Sequence, residues 1–342
     1  MTLRESKSRS ARVLSNVSLL ILFGFLSSPA KGTPPPERWI YLMKGEESLF
    51  ASNAAATDVV CFGTTVAAEG RLEGGHFSPP RLSGTPRRFH LVATIPWNSA
   101  LAHVYLDPRL PFRKRILLGL VERARPFDGL QIDFEGIAEE DGAAFLNFLI
   151  ALKKALPEHK TLSVAVPARW ERYAKAHPLD AYDYAVIGTI ADRVIVMAYD
   201  EHYRTGPPGP VASLPWCKKI YAHALKTIPA DKLIMGIPLY GREWQCPATL
   251  SKALKYRDAR RTIEAKGLTP LETPSEGGRY VRRAKVEVVA HYETIDSIEA
   301  KTALYAKRPI CGLAFWRAGQ EPPELWSRMN ERRNEPSLRT AR

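Results

Sequence analysis

The sequence predicts a (β/α)8 barrel, an α/β fold in which eight parallel strands close into a ring inside a layer of helices. Eight short apolar runs follow one another along the chain, and amphipathic stretches with helical periodicity separate several of them. Alternating strands and helices favour parallel pairing, and eight repeats are the number that closes a barrel. The 342 residues suffice for one barrel of about 250 residues with insertions.

The predicted strands are short runs of apolar and β-branched residues, at 39–43, 59–62, 90–94, 129–134, 162–166, 194–198, 233–237 and 312–316. The predicted helices have apolar residues at helical spacing, at 113–124, 141–156, 216–227 and 297–306. Residues 245–293, between strands seven and eight, exceed what one helix requires. They contain a helical piece at 251–266 and a strand-like run at 285–290, so we expect a small α+β insertion over the barrel mouth.

The first thirty residues are typical of an export signal. Four basic residues precede the apolar run 17–26, and small residues follow it up to Ala30. This run is about half the length that a membrane-spanning helix needs. The pattern predicts a signal peptide at 1–30 and a periplasmic, cell-wall-associated or secreted protein, with an uncleaved membrane anchor as the alternative. Three consecutive prolines make 31–38 a stiff tether, 39–326 is the predicted barrel domain, and 327–342 is a loose basic tail.

Charge and cysteine content limit the binding partners and cofactors that we expect for this protein. Residues 31–342 hold 45 basic and 35 acidic residues, a net charge of +10, which favours attraction to an anionic surface such as the cell wall. No basic motif with interleaved aromatic residues points to nucleic acid. The four cysteines lack the close pairs of a zinc site, so we expect no metal and no other cofactor. Export would permit disulfides, and the pairing stays open.

The stretch "FDGLQIDFEG" at 127–136 places polar side chains on one face of a predicted strand. Gln131, Asp133 and Glu135 alternate with apolar residues, and catalytic groups of parallel barrels lie at the carboxyl ends of strands. Two neighbouring carboxyl groups push their pKa values apart, so that one can act as an acid while the other stays charged. A salt-bridged strand end is the alternative interpretation.

Four motifs in order resemble glycoside hydrolase family 18, the chitinases and related N-acetylglucosaminidases. "DGLQIDFE" at 128–135 is similar to the DGxDxDxE signature, "MAYD" at 197–200 to the sixth-strand MxYD, "MGIPLYGREW" at 235–244 to the seventh-strand segment, and "GLAFWRAG" at 312–319 to the last strand. The resemblance covers about 39–326 and is nearest to the spore-cortex-lytic, cell-wall branch of the family. It implies a (β/α)8-barrel hydrolase.

The resemblance also implies roles for individual residues. The substrate's 2-acetamido group attacks the anomeric carbon, while Glu135 protonates the leaving oxygen and later activates water. Asp133 holds the acetamido N–H and stays charged, and Tyr199 bonds the acetamido carbonyl. The residues expected to bind substrate are Gln131, Met197, Asp200, Tyr240, Arg242 and Trp316, the last as an apolar floor beneath the sugar. Trp170, Trp244 and His202 are weaker candidates, since single aromatic residues more often belong to the core.

Gln131 departs from the family signature, which has Asp at this position. An amide cannot give up a proton, and the strand "HLVATIPW" at 90–97 also lacks a clear SxGG motif. We expect a monomeric enzyme that cleaves a β-1,4-linked N-acetylglucosamine polymer. Both departures favour peptidoglycan fragments over chitin as that polymer. Two alternatives stay open. One is a catalytically silent carbohydrate-binding protein, and the other is a metal-dependent enzyme that uses Asp133, Glu135, Asp200 and His202 as ligands.

Overall fold

The computed structural model describes residues 36–74, 78–83, 87–178, 180–246, 251–283 and 286–334. Its strands within these ranges are β1 (Glu37–Met43), β2 (Asp58–Val66), β3 (Leu72–Glu73), β4 (Arg88–Thr94), β5 (Gly129–Asp133), β6 (Thr161–Pro167), β7 (Arg193–Met197), β8 (Leu233–Pro238), β9 (Tyr240–Cys246), β10 (Ser251–Lys255), β11 (Leu271–Thr273), β12 (Gly277–Arg283), β13 (Glu287–Tyr292) and β14 (Gly312–Trp316). Its α-helices are α1 (Ser99–Leu106), α2 (Pro111–Arg123), α3 (Gly142–Ala155), α4 (Glu171–Ala176), α5 (Tyr184–Ile190), α6 (Leu214–Thr227), α7 (Tyr256–Lys266), α8 (Ile295–Tyr305) and α9 (Leu325–Asn334).

Eight parallel strands close into a barrel, which confirms the predicted fold. The hydrogen-bonded order is β1, β14, β8, β7, β6, β5, β4 and β2, and β2 pairs in parallel with β1 to complete the ring. Each of these strands contains or closely matches one of the eight apolar runs found in the sequence. All eight carboxyl ends therefore face the same side of the molecule, where the polar residues that follow the strands can meet.

The barrel strands divide their side chains between two cores, as alternation requires. Inward residues such as Trp39, Tyr41, Val60 and Ile195 pack together inside the barrel. Their outward neighbours pack against the surrounding helices in a larger cluster. In β5, the outward residues Leu130 and Ile132 belong to that larger cluster, which leaves the alternate residues to point inward.

The insertion between β8 and β14 is a five-stranded antiparallel sheet with one helix, and it starts earlier than predicted. The sheet has the order β10, β9, β13, β12, β11, and β9 begins only two residues after β8 ends. The prediction of a helix over 251–266 is wrong in its first turn, because Ser251–Lys255 pairs with Tyr240–Trp244 as a strand. Helix α7 occupies the remainder and ends at Gly267, whose φ of +56° suits glycine.

The two ends of the described chain differ from the predicted tether and tail. Glu37 and Arg38 already pair with β14, so strand β1 takes up the last residues of the predicted tether. Helix α9 runs into the predicted loose tail, because Trp326 and Met329, three residues apart on one helix face, are buried. The predicted signal peptide and residues 335–342 lie outside the described residues. No helix in the described ranges is long and apolar enough to cross a membrane.

Candidate active site

A cavity of about 770 Å³ opens at the carboxyl ends of the barrel strands. Its wall contains eight of the nine predicted site residues, namely Asp133, Glu135, Met197, Tyr199, Asp200, Tyr240, Arg242 and Trp316. They lie on or directly after three barrel strands, β5, β7 and β14, and on β9 of the insertion. Residues that are more than 180 positions apart in the sequence therefore share one concave surface of the size that a small ligand needs.

Asp133, which is buried, and Glu135, which is half-buried, form an acid pair at the end of β5. Asp133 is the last residue of the strand and only 8% exposed, and its Oδ1 atom has no hydrogen-bond partner within the described part of the chain. The segment after the strand is fixed by the Tyr182 hydroxyl, which donates to the Phe134 carbonyl at 2.8 Å. Gly136 then turns the chain with φ at +71°, and the Trp97 ring lies over it.

Burial raises the pKa of both acids. The pKa of Asp133 rises to about 8, first because the carboxyl group is removed from water and second because Glu135 carries like charge. The pKa of Glu135 rises for the same first reason, with the charge of Asp200 as the second. The pair therefore retains a proton at neutral pH. Burial therefore opposes the expected charge of Asp133 in the free site, since no salt bridge within the described residues compensates that charge.

Gln131, the ninth predicted residue, lies below the cavity. Its side chain is fully buried inside the barrel, and its amide nitrogen donates to the Ser163 hydroxyl of the neighbouring strand β6 at 3.2 Å. The amide is thus two residues down the strand from Asp133, on the inward face. The structure places Gln131 beneath the acids and outside the wall that a ligand would contact.

Asp200 is held in a strained conformation by two residues of β9. Its φ of +62° lies in the left-handed region that non-glycine residues seldom adopt. Asp200 Oδ1 accepts hydrogen bonds from the Tyr240 hydroxyl at 2.5 Å and from the Arg242 guanidinium at 2.6 and 3.0 Å. The Tyr199 ring meets Tyr240 edge-on at 6.3 Å. The insertion therefore positions an acid of the barrel, which explains how β9 contributes to the site.

An aromatic surface closes the other side of the cavity. Trp316, the last residue of β14, packs against Tyr41 and Phe62 with ring centroids 5.1 and 4.9 Å apart. The Trp316–Arg317 peptide bond is cis. Flat apolar rings of this kind offer a stacking face for a sugar ring, while the Tyr41 hydroxyl group bonds the Gln131 amide.

Several lining residues were not singled out from the sequence. Tyr41, Trp97, Arg169, Tyr203 and Arg204 all line the cavity. Alternation in β1 could have found Tyr41, because it shares the inward face with Trp39. Trp97 follows the third barrel strand, and its 77% exposure marks it as an unusual surface aromatic residue.

The structure places the three weaker candidates for substrate contact in different surroundings. Trp170 lines the cavity. Trp244 is fully buried and donates its indole N–H to the Gly206 carbonyl at 3.0 Å, so it belongs to the core. The His202 ring contacts the Pro207 carbonyl at 3.2 Å, outside the wall. Within the described ranges, no three His, Cys, Asp or Glu side chains gather as a metal-binding group, so the four-ligand arrangement of the metal alternative is not formed.

A closed parallel barrel with paired acids and aromatic rings in a cavity at its carboxyl end defines a barrel protein of the glycosidase class. The profile of the family described as "Glycosyl hydrolases family 18" matches residues 113–321, and the chain belongs to this family. The resemblance that the four motifs indicated is thereby confirmed.

Curated relatives include bacterial glycosylases. The chain is 34% identical over 221 residues to the "Uncharacterized glycosylase YvbX" of Bacillus subtilis, covering 63% of this chain and 64% of that protein. It is 27% identical over 211 residues to the "Cortical fragment-lytic enzyme" of Bacillus anthracis, covering 58% and 47%. The chain thus spans about half to two thirds of the length of these relatives.

Solved structures share the fold. The spore cortex-lytic enzyme SleL of Bacillus cereus superposes with a TM-score of 0.74 at 23% identity, covering 86% of this chain and 74% of that chain. A chitinase of Chromobacterium violaceum superposes with a TM-score of 0.76 at 23% identity, covering 88% and 100%.

Proposed function

We propose that this protein hydrolyses β-1,4-linked N-acetylglucosamine polymers, with peptidoglycan fragments favoured over chitin-like oligosaccharides. The observation that carries the proposal is the acid pair Asp133–Glu135. Both residues line the cavity, and the pKa of each carboxyl group is raised by burial. Membership of glycosyl hydrolase family 18 supports the reaction class, and the relatives named as cortical fragment-lytic enzymes support the substrate. The apolar leader supports export to the cell wall.

Glu135 is the proton donor in this proposal. Burial and the nearby charge of Asp200 raise its pKa, which favours the protonated form that can donate to the glycosidic oxygen as the bond breaks. After departure of the first product, the Glu135 carboxylate accepts a proton from the water that attacks the sugar. The same group thus serves as acid and then as base.

Asp133 and Tyr199 handle the acetamido group of the substrate. In the free site the charge of Asp133 is uncompensated, and a bound acetamido N–H supplies the missing hydrogen-bond donor. Substrate binding therefore favours a charged Asp133 beside a protonated Glu135. Asp133 then offsets the positive charge that develops when the acetamido oxygen attacks the anomeric carbon with retention of configuration, while the Tyr199 hydroxyl donates to that oxygen.

A silent carbohydrate-binding protein remains the second candidate, supported by the aromatic wall around Trp316. Such a protein needs stacking surfaces but no proton donor. Burying two acids without compensation costs stability, and a binding protein would gain nothing from them. The acid pair therefore favours the enzyme.

The substitution Glu135→Gln separates the two candidates. We expect it to lower kcat on N-acetylglucosamine oligomers by about 10³-fold and to leave KM or oligomer affinity nearly unchanged, because only the transition state needs the proton. Product masses from peptidoglycan and chitin oligomers, digested side by side, report the preferred polymer.

The exposed Glu264 of α7 gives the matched control, Glu264→Gln, which should retain full activity. A Glu135→Gln variant with near-native kcat would contradict the proposed acid. Native protein that binds these oligomers without cleaving them would support the silent binding protein instead. Unchanged cleavage in the presence of a chelator is expected.

A further inference from the structure

A second cleft, of about 520 Å³, adjoins the active-site cavity. It lies between α4 and α6, which pack together, and we call it the Arg172 cleft. Its lining includes Trp170, Glu171, Arg172, Lys175, Lys219 and His223. Trp170 also lines the active-site cavity, so one residue borders both spaces. A polymer bound in the cavity could continue past Trp170 into the cleft.

Positive charge dominates the Arg172 cleft. Its lining carries three cations and one carboxylate. That carboxylate, Glu171, already bonds Lys175 at 2.9 Å and Lys226 at 3.1 Å, and these hydrogen bonds lower its pKa to about 2. Arg172 and Lys219 are exposed and have no salt bridge to any acid in the described part of the chain. The cleft therefore offers two cations without an acidic partner among the described residues.

The wall between the two spaces is fixed in position. Trp170 follows strand β6 and precedes helix α4, and its ring contacts Tyr173 with centroids 5.5 Å apart. Its neighbour Arg169 pairs with Asp180 and lies 4.3 Å over the Tyr173 ring. These contacts hold the segment on both sides, so the two spaces keep a constant relation. A ligand can then be recognised by its contacts in both.

We infer that the Arg172 cleft binds carboxylate groups of a peptidoglycan strand whose sugars occupy the active-site cavity. This inference rests on the proposed function. Peptidoglycan carries carboxylates on the lactyl groups of its muramyl sugars and on the peptides attached to them, whereas N-acetylglucosamine oligomers are neutral. Arg172 and Lys219 would pair with these carboxylates, and Trp170 would contact the sugar between the two spaces. The cleft is thus a specificity site for the anionic polymer.

The test compares one glycan with and without its charge. The substrates are peptidoglycan strands freed of peptides, the same strands with their lactyl carboxyl groups converted to methylamides, and neutral N-acetylglucosamine oligomers. For the double variant Arg172→Glu/Lys219→Glu we expect a KM about ten-fold higher on the charged strands, with kcat unchanged. The KM on the two neutral substrates should stay at the native value. Added salt should reduce the difference in KM between native and variant protein on the charged strands, because exposed charges are screened.

The matched control, Lys114→Glu/Lys154→Glu, reverses the charge of two exposed lysines on outer helices. It should leave KM unchanged on all three substrates. An equal rise of KM on charged and neutral substrates, or no rise on any, would overturn the inference. Binding of charged and methylamidated strands to the Glu135→Gln variant, with and without the cleft reversal, measures the same preference without turnover. Absence of hydrolysis would then defeat the proposed function alone, while equal binding of both strands would defeat the cleft.

Discussion

The two ends of the barrel bury acids in opposite ways. At the amino-terminal end, Asp58 is fully buried and accepts hydrogen bonds from Arg88 at 2.8 and 2.9 Å, with the His90 ring at 2.7 Å. Glu37 accepts from Arg88 and Arg193, and these hydrogen bonds lower its pKa to about 2 although burial opposes the shift. Every one of these acids has a cation beside it.

The acid pair at the carboxyl end lacks this compensation, although Asp200 nearby has Arg242 beside it. Asp133 is buried and Glu135 is half-buried beside it, and the pKa of each is raised. Within the described residues, neither acid has a salt bridge. Among the described residues, the barrel thus provides cations for the acids at its amino-terminal end but none for the Asp133–Glu135 pair at its carboxyl end. The difference shows which acids stabilise the fold and which are retained for chemistry, since uncompensated acids persist where a ligand uses them.

The largest effect on stability is expected at the amino-terminal end, from Asp58→Ala. The change leaves the buried His90 without its acceptor and removes two hydrogen bonds of the Arg88 guanidinium, which keeps only Glu37, so the free energy of unfolding should fall by about 4 kcal/mol. Because Asp58 is far from the cavity along the barrel, kcat of the folded protein should stay native. Urea unfolding and initial rates measure the two effects.

The exposed ion pair Glu122–Arg125 supplies the control for that change. Glu122→Ala should alter the free energy of unfolding by about 0.5 kcal/mol or less. If Asp58→Ala were equally mild, the amino-terminal network would not be a stabilising element.

A smaller change of opposite sign is expected at the carboxyl end, from Asp133→Asn. The folded pKa of Asp133 is about 8 and the unfolded value is near 4, so the native state binds more protons than the unfolded state between these pH values. The native protein therefore loses stability as pH rises through this window. The Asn variant does not, because its amide has no proton to lose. By pH 8 the variant should be more stable by about 2–3 kcal/mol, about half of what an isolated four-unit shift would give because the proton is shared with Glu135, with little difference at pH 4.

Unfolding curves at pH 4, 6 and 8 test this sign, and the exposed substitution Asp231→Asn serves as the reference. Asp133→Asn should at the same time lose most of its activity on N-acetylated substrates. A stability difference that is constant from pH 4 to pH 8 would show that Asp133 is not buried as an uncompensated acid.

The same contrast explains what the sequence could predict. Strand periodicity located all eight barrel strands and the inward face of β5, because those features depend on near neighbours in the chain. The raised pKa of Asp133 could not be predicted from the sequence, since it depends on which distant groups surround the carboxyl group. Strand β10 was mistaken for helix because its partner, β9, is fixed only in the folded insertion. The hydrogen bonds from β9 to Asp200 could not be predicted from the sequence for the same reason.

The smallest effect is expected where the insertion meets the barrel, from Tyr240→Phe. The change removes one hydrogen bond to Asp200 and leaves those from Arg242, so kcat/KM should fall about ten-fold with a stability change near 1 kcal/mol. The charge of Asp200 contributes to the raised pKa of Glu135. If Asp200 relaxes from its strained backbone conformation and moves away, that contribution weakens, and Glu135 loses its proton at lower pH.

The alkaline limb of the pH profile of kcat/KM should therefore move to lower pH in Tyr240→Phe. Tyr280→Phe is the matched control, because its hydroxyl bonds Glu243 at 3.1 Å within the same insertion sheet but outside the cavity. It should cost similar stability and leave the profile in place. A shifted limb only in Tyr240→Phe would show that the insertion tunes the acid through Asp200. An unshifted limb would show that Arg242 alone holds Asp200, because two charge-assisted hydrogen bonds suffice to keep the carboxylate beside Glu135.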